Sequence, residues 1–185
     1  MTTHPADHPA ERRPHGPGTH CHWCGTAYPD GTVAWPRTCP GCGEISYRNP
    51  LPVVVTLLPV TTPDGQALTV IRRTIEPGYG KLALPGGYVD YGESWQQACV
   101  RELREETGIE AEAEEITLVS TDSDRAGGFL CLFGLLPARD LADLPPSKPT
   151  DETDGWQLIP APIQLAFPFH TRVSTAWFQG AYAHL

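Results

Sequence analysis

No apolar run in these 185 residues approaches the length of a membrane-spanning helix, and no secretion signal is recognisable. Basic residues are few: 13 Lys and Arg stand against 22 Asp and Glu, for a formal net charge of −9. That balance argues against non-specific attraction to nucleic acid. No internal repeat is visible, which leaves solenoids and propellers aside. Together these absences predict a cytoplasmic protein with neither a membrane nor a nucleic acid as partner. What is present suffices for a core: hydrophobic residues make up 40% of the chain. The length allows one ordinary domain plus a small module.

The most informative stretch runs from Gly87 to Ile109, GYVDYGESWQQACVRELREETGI. Within it Glu102, Glu105 and Glu106 fall at i, i+3 and i+4, one above another on the same face of a helix. Like charges at that spacing work against an isolated helix, so the cluster needs a counter-charge. Hard divalent cations such as Mg²⁺ accept oxygen ligands of this kind. Ser94 is placed to cap the helix N-terminus, with Glu93 beside its positive end. Gly108 is placed for a left-handed C-terminal cap. Ala98, Cys99 and Leu103 are expected to face the core while the carboxylates point away. Ahead of the helix, Pro85-Gly86-Gly87 interrupts an apolar run and reads as a loop.

A second constellation lies upstream. Cys21 and Cys24, then Cys39 and Cys42, form two CxxC pairs, each followed by a glycine, Gly25 or Gly43. Four cysteines so arranged match a tetrahedral, structural zinc site with no open coordination position. Two disulfides would require an oxidising compartment. A thioredoxin-like redox pair would require a strand–helix unit that neither motif has. Cys99 and Cys131 read as buried bystanders, and the seven histidines as mostly uninformative.

The carboxylate stretch resembles the signature of the Nudix hydrolases. Gly87, Glu93, Arg101, Glu102, Leu103, Glu105, Glu106, Gly108 and Ile109 fill every specified position. The resemblance implies an α/β fold of Nudix type, an α/β/α sandwich with a mixed sheet. It implies that Glu102, Glu105 and Glu106 hold Mg²⁺ or Mn²⁺, assisted by a backbone carbonyl of Gly86 or Gly87. Glu93 and Arg101 would pair to brace the loop against the helix. The general base would be Glu102 or Glu105, or an acid of a later loop, Glu152 or Asp154.

With the cysteine module in front, followed by YRNP (Tyr47 to Pro50), EPGYG and LPGG, the chain is similar to a zinc-ribbon Nudix branch whose members cleave FAD, ADP-ribose or NAD(H). It departs from the NADH pyrophosphatases in having no SQPW-type motif after Ile109. It also lacks the proline that many ADP-ribose pyrophosphatases carry downstream of the signature; Asp124 and Arg125 occupy that region. The resemblance implies a nucleotide-diphosphate small molecule as substrate, AMP and a phosphomonoester as products where the substrate is ADP-linked, and a homodimer. Two alternatives remain at this stage: a housecleaning nucleoside triphosphate pyrophosphatase, and a non-catalytic nucleotide-sensing or nucleic-acid-binding zinc-ribbon protein.

The expected organisation is a disordered tail at 1–18, a zinc ribbon at 19–48 and a Nudix hydrolase domain at 49–185. Strands are expected from Val53 to Val60, Ala67 to Arg73, Ile116 to Ser120, Phe129 to Leu136 and Gly155 to Leu158. A Pro-rich loop spans Pro137 to Pro149, and a closing helix runs from Thr171 to Tyr182, burying Val173 and Trp177, with Phe178 a further candidate. Arg72 and Arg73 end a strand near the proposed site and are candidate phosphate contacts. Alternation lets at most one of them point inward. Tyr79, Tyr88 and Phe129 are candidates to stack on a base.

Overall fold

The computed structural model describes residues 18–29, 34–124 and 126–184. The expected disordered tail lies outside the described residues except for Gly18. The chain divides into two units, Met1–Asn49 and Pro50–Leu185.

In the first unit, β1 (Arg37–Thr38) pairs antiparallel with β2 (Ile45–Ser46), and His20 bridges to Ala27. Its described buried apolar residues are Cys21, Tyr28 and Cys39. The Tyr28 hydroxyl donates to Ser46 Oγ at 2.8 Å, and the Arg37 guanidinium stacks on Trp35 at 4.2 Å. A core this small does not outweigh the entropy of ordering the chain around it.

The second unit is built on two sheets. One has the order β7-β3-β9-β8, with β3 at Leu51–Leu57, β7 at Gly86–Tyr88, β8 at Thr117–Ser123 and β9 at Phe129–Leu135. It is mixed, since β3 runs parallel to β9 and the other pairs are antiparallel. The other has the order β10-β4-β5-β11, with β4 at Pro59–Thr62, β5 at Gly65–Arg73, β10 at Arg139–Asp140 and β11 at Thr153–Ile159. The short β6 (Leu82–Ala83) also pairs with β5.

Helix α1 (Trp95–Thr107) covers one face, where Ala98, Cys99 and Leu103 pack with Val54 and Leu58. Alternation along β3 and β9 sends Val55, Cys131 and Phe133 to the opposite face, into the core that α2 (Pro168–Phe178) joins through Val173. The result is the α/β/α arrangement expected of the fold.

Several elements differ from the sequence expectation. The strand expected from Val53 to Val60 is two strands in different sheets, separated at Leu58. Pro59 has no N–H to donate to a ladder and opens β4, while the Leu58 carbonyl accepts from Thr69 N–H at 3.0 Å. The glycine pair, expected as a loop, is the edge strand β7. The expected Pro-rich loop contains β10 and a 3₁₀ turn at Leu141–Asp143. The closing helix begins earlier, with Pro168 pre-organised for its first turn, and it buries His170, Val173 and Ser174 while Trp177 stays half-buried.

Candidate active site and a cysteine cluster

Helix α1 is held at both ends by the residues expected to cap it. Ser94 accepts from Gln97 N–H at 3.2 Å, and the Gln97 side chain accepts from Ser94 N–H at 2.7 Å, a reciprocal capping box. Gly108 closes the helix with φ 73°. This framing sets the rotation of the carboxylate face.

The three glutamates of that face have different environments. The Glu105 side chain is 52% exposed and that of Glu102 only 13%. Glu106 is 3% exposed, contrary to the expectation that all the carboxylates point away from the core. It sits three residues beyond the buried Leu103, at the margin of the apolar stripe, and its Oε2 accepts Gly86 N–H from β7 at 2.8 Å. Burial pushes the Glu106 carboxyl up to about 8, against the opposing pull of that hydrogen bond, with the charges of Glu102 and Glu152 adding to the rise. Glu102 is also pushed upward, first by burial.

Arg101 fans out over this surface. Its Nη2 donates to Glu93 Oε1 at 2.8 Å and to the Tyr88 carbonyl at 2.9 Å, and its Nε donates to Glu93 Oε2 at 3.1 Å. Its Nη1 reaches Glu102 at 2.8 Å and Glu105 at 3.2 Å. The expected brace between loop and helix is therefore present, and the same guanidinium also draws in two of the clustered carboxylates.

These groups line a cleft of about 920 Å³. Glu102, Glu105 and Glu106 form one part of its wall with Gly86 and Gly87, and Glu152 enters from the loop before β11. That loop is tied down by its backbone. The Glu152 carbonyl accepts from Thr74 N–H at 2.9 Å, and Thr153 Oγ1 donates to the Glu106 carbonyl at 3.0 Å. Asp154, the other acid considered, is on β11 and does not line the cleft.

The candidate substrate contacts separate cleanly. Arg73 lines the cleft and stacks on Phe167 at 5.3 Å. Phe129 also lines the cleft, its ring 6.2 Å from that of Tyr88. Arg72 points outward and donates to the Gly80 carbonyl at 2.8 Å. Tyr79 is 65% exposed and lines no part of the cleft. Sequence reasoning missed His170, which lines the cleft from α2 and is 7% exposed. The run Phe167-Pro168-Phe169 before it marks a helix start but carries no signal that the imidazole enters the cleft.

The carboxylate donor set fits a hard divalent cation in chemistry. Oxygen ligands of like charge lie together on one wall, and Gly87 leaves open the volume in front of Glu102, where a Cβ would collide with the carboxylate. The glutamate oxygens are drawn to Arg101 and Gly86 and do not gather on one point. Among the described residues, the one group of potential ligands whose donor atoms all lie within 4.8 Å of one another is Cys21, Cys24, Cys39 and Cys42.

That quartet is formed by two copies of one turn. Gly25 N–H donates to the Cys21 carbonyl and Gly43 N–H to the Cys39 carbonyl, both at 2.9 Å, with φ of 74° and 77° at the glycines. All four cysteines are free thiols, with Sγ–Sγ distances of 3.8 Å for Cys21–Cys42 and 3.5 Å for Cys24–Cys39. A tetrahedron with metal–sulfur bonds of about 2.3 Å has edges of about 3.8 Å. The spacing fits a four-thiolate metal site.

The comparisons with known proteins agree with the cleft. The model of the NUDIX domain family matches residues 50–176, more than half the chain and the whole of α1 and the Glu152 loop. The ADP-ribose pyrophosphatase of Methanocaldococcus jannaschii is 37% identical over 79 residues, covering 43% of this chain and 46% of that protein. The NAD-capped RNA hydrolase NudC of Pseudomonas aeruginosa is 37% identical over 90 residues, covering 49% of this chain and 31% of that protein. The matched region thus spans less than half the length of either relative. A NUDIX hydrolase from Nitrosomonas europaea superposes with a TM-score of 0.69 at 23% identity, covering 89% of this chain and 93% of that one. With the family model covering residues 50–176, which hold the carboxylate helix, the glycine strand and both sheets of the second unit, the chain belongs to the Nudix family.

Proposed function

We propose that the chain is a Mg²⁺- or Mn²⁺-dependent pyrophosphohydrolase that cleaves the diphosphate of a nucleoside diphosphate linked to a second moiety, as in FAD, ADP-ribose or NAD(H). The observation that carries this reading is that four acids, Glu102, Glu105, Glu106 and Glu152, share one cleft with a largely apolar, aromatic wall. Such a cleft has room for a charged diphosphate at one end and a flat ring at the other. The names of the two relatives, one an ADP-ribose pyrophosphatase and the other an NAD-capped RNA hydrolase, support the same class.

Glu102, Glu105 and Glu106 would hold the cation, together with a carbonyl of Gly86 or Gly87. When bound, the cation polarises phosphoryl oxygens, lowers the pKa of coordinated water and offsets charge during displacement. Glu152 is the favoured acceptor of the proton of the attacking water, with Glu102 or Glu105 as the helix alternative. Water adds to one phosphorus, the bridging P–O bond breaks, and the bridging oxygen leaves on the other phosphate, giving two phosphomonoesters. The Arg73 guanidinium binds a phosphate oxygen, and Phe129 with Tyr88 offers a stacking surface. Arg101 and Glu93 keep the loop after β7 against the helix.

The same reading places the chain in the zinc-ribbon branch, with Cys21, Cys24, Cys39 and Cys42 holding one structural Zn²⁺ in a ribbon at 19–48 ahead of a hydrolase domain at 49–185. It also includes a cytoplasmic homodimer. The test is a panel of FAD, ADP-ribose, NADH and nucleoside triphosphates, incubated with and without Mg²⁺ and resolved by chromatography. AMP and a second phosphomonoester from an ADP-linked compound are expected; a preference for free triphosphates would replace this substrate class with the housecleaning alternative.

A further inference from the structure

We propose that His170 is the specificity-determining hydrogen-bond donor of an apolar subsite for a heteroaromatic ring, its Nε2–H reading an acceptor nitrogen or carbonyl on the substrate. The assignment of that ring to one side of a cleaved diphosphate rests on the function proposed above; the donor itself rests on the geometry around the imidazole.

That geometry fixes the tautomer. His170 Nδ1 accepts the Leu84 N–H at 3.2 Å, so the ring proton resides on Nε2. Nε2 has no hydrogen-bond partner among the described residues. Among the described residues, the sealed polar side-chain atoms without a partner are Thr69 Oγ1, Thr74 Oγ1 and Trp156 Nε1, and Nε2 is not among them, so it opens onto the cleft that His170 lines. Two rings hold the imidazole in place: Phe167 at 4.9 Å and 61°, and Phe133 at 6.3 Å and 85°. Burial, then the charge of Arg73, keeps its conjugate acid down at about 3. The group is therefore neutral through the working range and acts as a donor, with no role in moving protons.

Its surroundings specify the ligand. Val53 and Val55 on β3 and Cys131 on β9 project to the same face, Val53 and Cys131 being register partners, and all three line the cleft with Leu84. An apolar floor with one oriented imidazole donor, flanked by Arg73 over Phe167, suits a flat ring that bears an acceptor and lies beside a phosphate, and disfavours a bare sugar. A substrate without the acceptor would leave the N–H desolvated and unpaired, the kind of penalty that discriminates well beyond tenfold.

The test uses the full chain labelled with ¹⁵N-histidine, the His170 signal being assigned through a variant. At pH 7 the ring should give the neutral Nε2–H pattern. Its Nε2–H resonance should shift on adding at least one of AMP, flavin mononucleotide or nicotinamide mononucleotide, and not on adding ribose 5-phosphate. His170→Asn keeps an acceptor near the Nδ1 position for Leu84 but loses the outer donor, whereas His170→Gln places an amide N–H near Nε2. His170→Asn should raise KM at least about tenfold with kcat within about twofold of the parent, and His170→Gln should restore KM. No shift with any of the three ring compounds, or an unchanged KM in His170→Asn, would overturn the proposal. So would an equal fall of kcat in both variants at constant KM, which assigns His170 to holding the Leu84 segment. Should the protein hydrolyse no ADP-linked compound, the function proposed above fails while the resonance shift still decides the donor.

Discussion

Arg101 and Glu93 are joined by two parallel hydrogen bonds, Nη2 to Oε1 at 2.8 Å and Nε to Oε2 at 3.1 Å, across the gap between the loop after β7 and the body of α1. The Arg101 hydrogen bond is the main cause that holds the Glu93 carboxyl below its ordinary value. A depressed carboxylate adds stability that is present above its unfolded value, near about 4.3, and is lost as pH falls through the lower folded value. Lysine cannot reproduce the fork. Arg101→Lys should cost about 1–2 kcal/mol at pH 7, a fall in Tm of roughly 2–8 °C. The gap from the parent should narrow in melts recorded below the unfolded value, as Glu93 becomes protonated.

The adjacent glycines of β7 should fail in different ways. A Cβ on Gly86 would meet the Val54 backbone carbonyl across the β3–β7 ladder, at φ 155°, and nothing there can yield cheaply. Gly86→Ala should lower stability by about 1–3 kcal/mol. A Cβ on Gly87 would meet the Glu102 carboxylate, the mobile end of a flexible side chain. Gly87→Ala should therefore melt within about 1 kcal/mol of the parent while losing at least about tenfold in turnover. Paired melts and rates on the two variants check this contrast.

Glu106 carries a pH dependence of opposite sign to that of Glu93. Its folded value of about 8 lies above the unfolded value near about 4.3. The metal-free fold thus has this group's full contribution below about 4.3, loses it progressively as pH rises, and has none left above about 8. Glu106→Gln should flatten that part of the stability profile. His170, held neutral down to about 3, destabilises the fold as pH falls below the ordinary imidazole range, but it does so equally in both proteins and cancels in the difference. Denaturant melts of the two, in chelator from pH 5 to pH 9, supply the measurement.

How much of this was legible in the sequence depends on how local each feature is. The caps Ser94 and Gly108 and the buried Ala98, Cys99 and Leu103 lie within one short window, where spacing alone decides, and the Glu93–Arg101 brace followed from the resemblance of that window to the Nudix signature. The burial of Glu106 was not legible, because it depends on Gly86 arriving from β7, and β7 exists through pairing with the distant β3. Gly-Gly reads locally as a turn. Between Arg72 and Arg73, alternation required that at most one face inward, but only the register of β5 against β6 and β11 shows that it is Arg73. His170 was hidden because a single histidine in an amphipathic helix carries no pattern; its role emerges from Leu84 and Phe133, remote in sequence.

The proposed zinc site gives an independent expectation. Purified protein should carry close to one zinc per chain, retained in EDTA that abolishes Mg²⁺-dependent turnover. Cys39→Ser should raise the proteolytic sensitivity of residues 19–48, since a segment of that size folds on its metal. Elemental analysis without zinc, or an intact mass showing two disulfides, would contradict the site.

The central claim, that the α1 carboxylates run a cation-dependent hydrolysis, is tested most directly by AMP release from ADP-ribose, FAD and NADH. The assay compares wild type, Glu105→Gln and Glu106→Gln at saturating Mg²⁺. Wild type should release AMP from at least one compound only with the cation. Both variants should fall by about two orders of magnitude or more, with metal-free melting unchanged or slightly higher in Glu105→Gln, which removes a like charge, and higher at neutral pH in Glu106→Gln, which removes the cost of holding a buried carboxyl uncharged. Wild-type turnover in both variants would contradict the assignment of this helix.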